Sequence, residues 1–93
     1  MSAISPIRSR NLTFAKDSTL DSYKPGVGGY TVRYEGTVIG STVQWRAASR
    51  QQRPWDSWPT DTEGNQTGPG FNATSRQQAG YRLAQSARAA GLI

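Results

Sequence analysis

Tyr30-Thr31-Val32-Arg33-Tyr34-Glu35-Gly36-Thr37-Val38-Ile39-Gly40-Ser41-Thr42-Val43-Gln44-Trp45-Arg46-Ala47 is the stretch on which the fold turns. Tyr30, Val32 and Tyr34 alternate with Thr31 and Arg33, the period-two pattern of a half-buried strand. Glu35-Gly36 supplies a two-residue hairpin loop, and Ile39, Val43, Trp45 and Ala47 carry the alternation onward. A loop of that length pairs Tyr34 with Thr37, Val32 with Ile39 and Tyr30 with Ser41, all on one face. Turn length and pattern therefore agree on register. The opposite face presents Thr31, Arg33, Val38, Gly40, Thr42, Gln44 and Arg46, which makes it polar and mildly basic. Gly40, inside the second strand, marks a bulge or the close approach of another chain segment.

Upstream of the hairpin, Asn11 to Ala15 alternates, with Leu12 and Phe14 on one side, and predicts a short strand. Lys16 to Gly29 is polar and ends in Lys24-Pro25-Gly26-Val27-Gly28-Gly29, a bend. Residues 1–10 read as a flexible basic leader without periodicity, which leaves 11–93 as a single small domain. Downstream, Trp55-Asp56-Ser57-Trp58 stands between Pro54 and Pro59 and reads as a short edge strand or an irregular loop. A strand places the two tryptophans on opposite faces; a helical turn places them together. Thr60 to Gly70 reads as an exposed loop holding Asp61 and Glu63.

The last segment is a helix. Ser75-x-x-Gln78 fits a capping box, with Thr74 as a second candidate cap, and Gly91 is placed to end the helix. Ala79, Leu83, Ala87 and Ala90 share one face. A stripe so rich in alanine buries little area, which leaves Leu83 and Tyr81 to anchor it. The whole predicts an α+β fold: an antiparallel sheet of three or four strands with a C-terminal helix packed on one face. Tyr30, Val32, Tyr34, Ile39, Val43, Trp45 and Leu83 form its expected core, joined by Phe14 and Phe71.

The 93 residues carry 11 Lys+Arg against 6 Asp+Glu, for a formal charge of +5. Leu, Ile, Val and Phe total only 14 residues, so the core must be small. With no cysteine and no histidine, thiol nucleophiles, disulfides, the usual zinc sites and imidazole acid–base catalysis are excluded. Asp56, Asp61 and Glu63 fall in a Pro/Gly-flanked region and read as solubilising charges, and no Ser or Thr has a histidine base. The chain is therefore read as non-enzymatic, with no cofactor and no metal. No apolar run approaches the ~20 residues of a membrane span, and no apolar stretch follows Arg8 and Arg10 as a secretory signal requires. The expected location is cytoplasmic, without membrane association.

The basic residues include nine arginines, whose guanidinium forks suit phosphate and carboxylate. Arg46, Arg50 and Arg53 lie near Trp45 and Trp55 in sequence, mixing charge with aromatic platforms. Arg33 and Arg46 share the outer hairpin face with Thr42 and Gln44, types that touch phosphate and base edges. Arg76, Arg82 and Arg88 recur every six residues and so point to three different sides of their helix. Trp55 and Trp58, beside Arg53, are of the types enriched at protein interfaces. Pairing of that edge between two copies gives a homodimer.

Tyr30-Thr31-Val32, Gly36-Thr37-Val38-Ile39-Gly40, Trp55 and Thr74-Ser75-Arg76-Gln77-Gln78-Ala79 together give an outline of hairpin, Trp-bearing strand and helix start. In that outline the chain resembles small uncharacterised sheet-plus-helix proteins of actinobacteria and their phages. The outline is also similar to the N-terminal arm-site-binding domain of tyrosine integrases, from which it departs by a long Gly/Pro loop before the helix. The resemblance implies a sheet that enters the DNA major groove, with Arg33, Gln44 and Arg46 facing it. The expectation is thus a small accessory protein of a phage or mobile element that binds DNA or RNA through Arg33, Thr42, Gln44, Arg46, Arg50 and Arg53. The alternative is a module that binds a host or phage protein through Trp55 and Trp58.

Overall fold

The computed structural model describes residues 6–21, 28–44 and 55–93. Along them run a 3-10 turn (Ser9–Asn11), β1 (Leu12–Lys16), the single-turn helix α1 (Ser18–Asp21), β2 (Gly29–Tyr34) and β3 (Thr37–Gln44). β4 (Trp55–Pro59), β5 (Phe71–Ala73) and α2 (Arg76–Ala89) follow. The strands form one five-stranded antiparallel sheet in sequence order, and α2 packs across one face of it. The fold is α+β, as the pattern predicts. The fifth strand, only three residues long, is too short to register as a period.

The hairpin closes through Glu35 and Gly36, with φ of 49° and 87°. Two consecutive left-handed residues make the turn whose twist matches paired strands. Tyr34 pairs with Thr37 and Arg33 with Val38, but Val32 pairs with Gly40. Ile39 is therefore an extra residue in β3, a β-bulge. Two successive residues of β3 now serve the face that α2 covers. Ile39 fills it and is fully buried. Gly40 leaves it open: a Cβ there would lie 2.7 Å from Leu83 Cδ2 and 2.7 Å from the Trp58 carbonyl oxygen. Gly40 thus marks both a bulge and a close approach.

One inserted residue reverses the facing of every side chain beyond it. The expected pairs Val32–Ile39 and Tyr30–Ser41 are replaced by Val32–Gly40 and Tyr30–Thr42. Thr42 and Gln44 move to the inner face, and Ser41 and Val43 to the outer one. The core consists of Leu12, Val32, Tyr34 and Ile39 under Leu83, Ala84 and Ala87, with Ile7, Phe14, Phe71 and Ile93 packed against it. Val43 is buried, but on the outer face rather than in this cluster. Tyr30 is half-buried at the end of the sheet, and Trp45 lies outside the described residues. Tyr81 is exposed, so Leu83 anchors α2 without it, aided by close packing at Gly80 against Leu12 and Phe14. The packed chain begins before residue 11: Ile7 joins the core, and the Arg8 N–H donates to the Tyr34 hydroxyl at 3.0 Å.

β4 is an interior strand, not an edge, because β3 and β5 flank it. Pro59 is compatible with that position for a geometric reason. A strand residue's N–H and C=O point to the same side. The Pro59 carbonyl accepts from the Thr67 N–H at 3.0 Å, so its missing N–H falls on the side where β5 does not pair with it. The true edge, β5, is capped from α2. Gln78 Oε1 accepts from the Thr74 N–H at 2.8 Å, and Arg82 Nη1 reaches the outward Asn72 carbonyl at 3.4 Å. Covering these groups blunts the edge against pairing with other chains.

The caps of α2 follow the sequence. The Gln78 N–H donates to Ser75 Oγ at 3.0 Å, while the Gln78 side chain reaches back to Thr74 rather than to Ser75. At the other end Gly91 takes φ 81°, its N–H donates to the Arg88 carbonyl, and the Leu92 N–H donates to the Ala87 carbonyl. That is the Schellman arrangement.

The Leu83–Gly40 contact predicts a coupled pair of substitutions. Gly40→Ala is expected to cost about 1–3 kcal/mol by overpacking and Leu83→Ala about 2–5 kcal/mol by leaving a cavity. In the double variant the smaller side chain relieves part of the clash, so its loss falls below the sum. Urea denaturation of the four proteins measures this, and strict additivity would show that the two positions do not meet.

Candidate functional site

The bulge separates residues that simple alternation places together. Arg33 stays on the outer face, half-buried, whereas Gln44 is exposed on the inner side of the sheet. Thr42 is fully buried and not a surface residue. Its Oγ1 lies 2.8 Å from Ser57 Oγ, so each hydroxyl satisfies the other in the interior. Arg46, Arg50 and Arg53 lie outside the described residues. Trp55 and Trp58, three apart on β4, occupy opposite faces and do not form one patch.

The outer face is not an open basic plain either. Val43 and Ser41 are buried there, and α1 sits against its end, with Leu20 over Gly29. Asp17 holds α1 in place. Its carboxylate accepts from the Thr19 hydroxyl at 2.6 Å, the Thr19 N–H at 3.0 Å and the Thr31 hydroxyl at 3.0 Å. The Thr19 hydroxyl is the main reason this carboxyl is held below its ordinary pKa, with the other two donors adding to it against some desolvation.

On the inner face, beyond the N-terminal end of α2, the structure gathers a different set. Arg76, the first residue of α2, is placed by the Ser75 cap so that its guanidinium lies 4.8 Å from both the Phe14 and the Tyr30 ring centroids. Lys16 pairs with Tyr30 across β1 and β2, and its ammonium lies 5.6 Å from the same Tyr30 ring. Tyr30 in turn lies 6.1 Å from Trp55, the two rings inclined at 43°. Phe14, Tyr30, Trp55 and Arg76 are half-buried, and Lys16 and Gln44 are exposed. Among the described residues, neither Lys16 nor Arg76 has a carboxylate partner, and no acceptor takes the Arg76 guanidinium donors. Cation–π contact holds Arg76 in place while leaving its in-plane N–H groups unused.

Both ends of the sheet carry charge of both signs. Glu35 in the hairpin turn and Asp61 and Glu63 in the β4–β5 connection stand at the opposite end, with Arg8 and Arg10 just before β1. At this end Asp17 follows Lys16 and Asp56 follows Trp55. Asp61 is held below its ordinary pKa, first by the Asn65 N–H, with the Asn65 amide and the Glu63 N–H also donating to it. A groove of about 380 Å3 runs between α2 and the β4–β5 connection, lined by Pro59, Pro69, Phe71, Arg82, Gln85 and Ser86 among others. Its one cation, Arg82, is already engaged, 4.1 Å over the Phe71 ring and on the Asn72 carbonyl.

Phe14, Lys16, Tyr30 and Arg76 were not legible as a group from sequence. The available signal was the Ser75 cap, which fixes Arg76 at the helix start, but only the β1–β2 register brings that position over Lys16 and Tyr30. Among the described residues, no group of acidic side chains is arranged to hold a metal ion, and no helix is long and apolar enough to cross a membrane. No family model, no curated protein and no solved structure matches the chain.

Because the folded-state pKa of Asp17 is depressed, its contribution is present above the ordinary carboxylate value, near 4, and is lost as pH falls through the lower folded value. Acid titration followed by NMR should therefore show the Thr19 amide and Thr31 resonances moving together below about pH 4, and Asp17→Ala should remove that transition. An unchanged titration in Asp17→Ala would assign the transition to another group.

Proposed function

We propose that this chain is a non-enzymatic nucleic-acid-binding protein that holds a phosphate backbone at the end of the sheet marked by Lys16 and Arg76. The observation that carries this reading is the state of Arg76. Two aromatic rings hold its guanidinium, and its fork of donors faces no protein acceptor among the described residues. A guanidinium already ordered loses less conformational entropy on binding than a free one, and its planar fork matches two phosphate oxygens. Lys16, beside the same Tyr30 ring, supplies a second cation as a point charge.

On the inner face the two cations stand apart from the acidic side chains of this end: Asp17 is bonded to Thr19 and Thr31, and Asp56 lies with Val43 on the outer face. Arg46, Arg50 and Arg53 lie outside the described residues, and the site is defined without them. The contact surface differs from the outer sheet face that alternation suggests, since that face carries Arg33 apart from Gln44.

Binding of a fluorescein-labelled oligonucleotide at about 50 mM and 200 mM salt tests this, with affinity expected to fall steeply as salt rises. Lys16→Ala and Arg76→Gln should each weaken binding and flatten the salt slope by about one, whereas Arg33→Gln should change neither by much. Circular dichroism and thermal melts confirm that the variants fold. No binding at the lower salt overturns the proposal, and equal losses at Arg33 and Arg76 would return the contact to the outer face.

A further inference from the structure

We infer that the preferred ligand is single-stranded nucleic acid, a base lying on Trp55 at the end of the Trp55–Tyr30 aromatic row while its phosphates meet Arg76 and Lys16 beside Tyr30; this rests on the nucleic-acid reading above. The row is built by the sheet itself. Tyr30 pairs with Thr42, Thr42 with Ser57 and Gln44 with Trp55, so Tyr30 and Trp55 flank the buried Thr42–Ser57 pair on one face. α2 starts at Arg76, beside this row, and runs over the Leu12, Val32 and Ile39 part of the sheet. Trp55 is left half-buried, with part of its surface open to solvent beside exposed Gln44.

Aromatic faces interleaved with cations fit unstacked bases, because every base has a π-face and a single strand offers it without unpairing. A duplex keeps its bases stacked inside and offers this surface only phosphates. Duplex readout needs an element that enters the major groove. Neither candidate in this fold is placed to do so from the Lys16–Arg76 end. The β2–β3 turn projects from the opposite end and carries Glu35, and α2 lies flat on the sheet with its inner face buried. Gln44, exposed at the edge of the row, adds an amide that donates to and accepts from a base edge.

Three labelled probes of about 20 nucleotides separate the possibilities at one low salt concentration: single-stranded DNA, single-stranded RNA of the same sequence, and the annealed DNA duplex. At least one single strand is expected to bind about tenfold or more tightly than the duplex. Trp55→Leu keeps an apolar side chain but removes the π-face, and should weaken single-strand binding about 5- to 100-fold while leaving duplex binding nearly unchanged. Trp55→Phe should restore most of the loss, which a merely structural role for the side chain would not require. Equal affinity for strand and duplex, or Trp55→Leu binding as Trp55→Phe does, overturns the inference and leaves the phosphate-binding proposal standing. Absence of binding to all three probes overturns both.

Discussion

Leu83 sits on Gly40, and most of the molecule is arranged around that contact. The chain has few large aliphatic side chains, so α2 must approach the sheet closely for its alanines to touch anything. Gly40 permits this at the centre of the sheet, and Gly80 permits it from the helix side, over Leu12 and Phe14. The approach requires a residue without a side chain facing α2, yet the core also needs Ile39 at the same place. The bulge satisfies both demands by turning two consecutive residues of β3 inward.

The same insertion governs the surface. Beyond the bulge, β3 runs in reversed phase, which buries the Thr42 hydroxyl against Ser57 and carries Val43 to the outer face. α2 in turn does more than cover the core. Its Gln78 and Arg82 cap the β5 edge, and its first residue brings a guanidinium onto the rings of β1 and β2. Buried packing at the middle of the helix and cation–π contact at its start thus fix the position of Arg76 from two sides.

The hairpin, its two-residue turn, the helix with both caps and the α+β class are all legible in the sequence, because each depends on neighbours a few residues apart. Glu35-Gly36 has the conformational freedom the turn needs, and Ser75, Gln78 and Gly91 close their own hydrogen bonds locally. The interior position of β4 is not legible. Pro54 and Pro59 argue for an edge, and only the short reach of β5 frees Pro59 from needing an N–H. The expected binding face fails for a related reason: Arg33, Thr42 and Gln44 share a face only if the strand is regular. Gly40 signals that it is not, but a glycine does not reveal which way the phase will shift.

By itself, the sequence determined the chemistry available to this protein. It has no thiol and no imidazole, an excess of arginine, and just enough aliphatic surface for one small core. It also determined the local elements, since turns and caps are satisfied within a few residues. Only the tertiary structure decided which side chains act together. Lys16, Tyr30, Trp55 and Arg76 are scattered over 61 residue numbers and meet because three strand pairings and one helix seat place them at one end of the sheet. The physical reason is that strand facing is a parity. A single residue inserted at Ile39 to make room for Leu83 changes that parity, and nothing short of the packed helix specifies it.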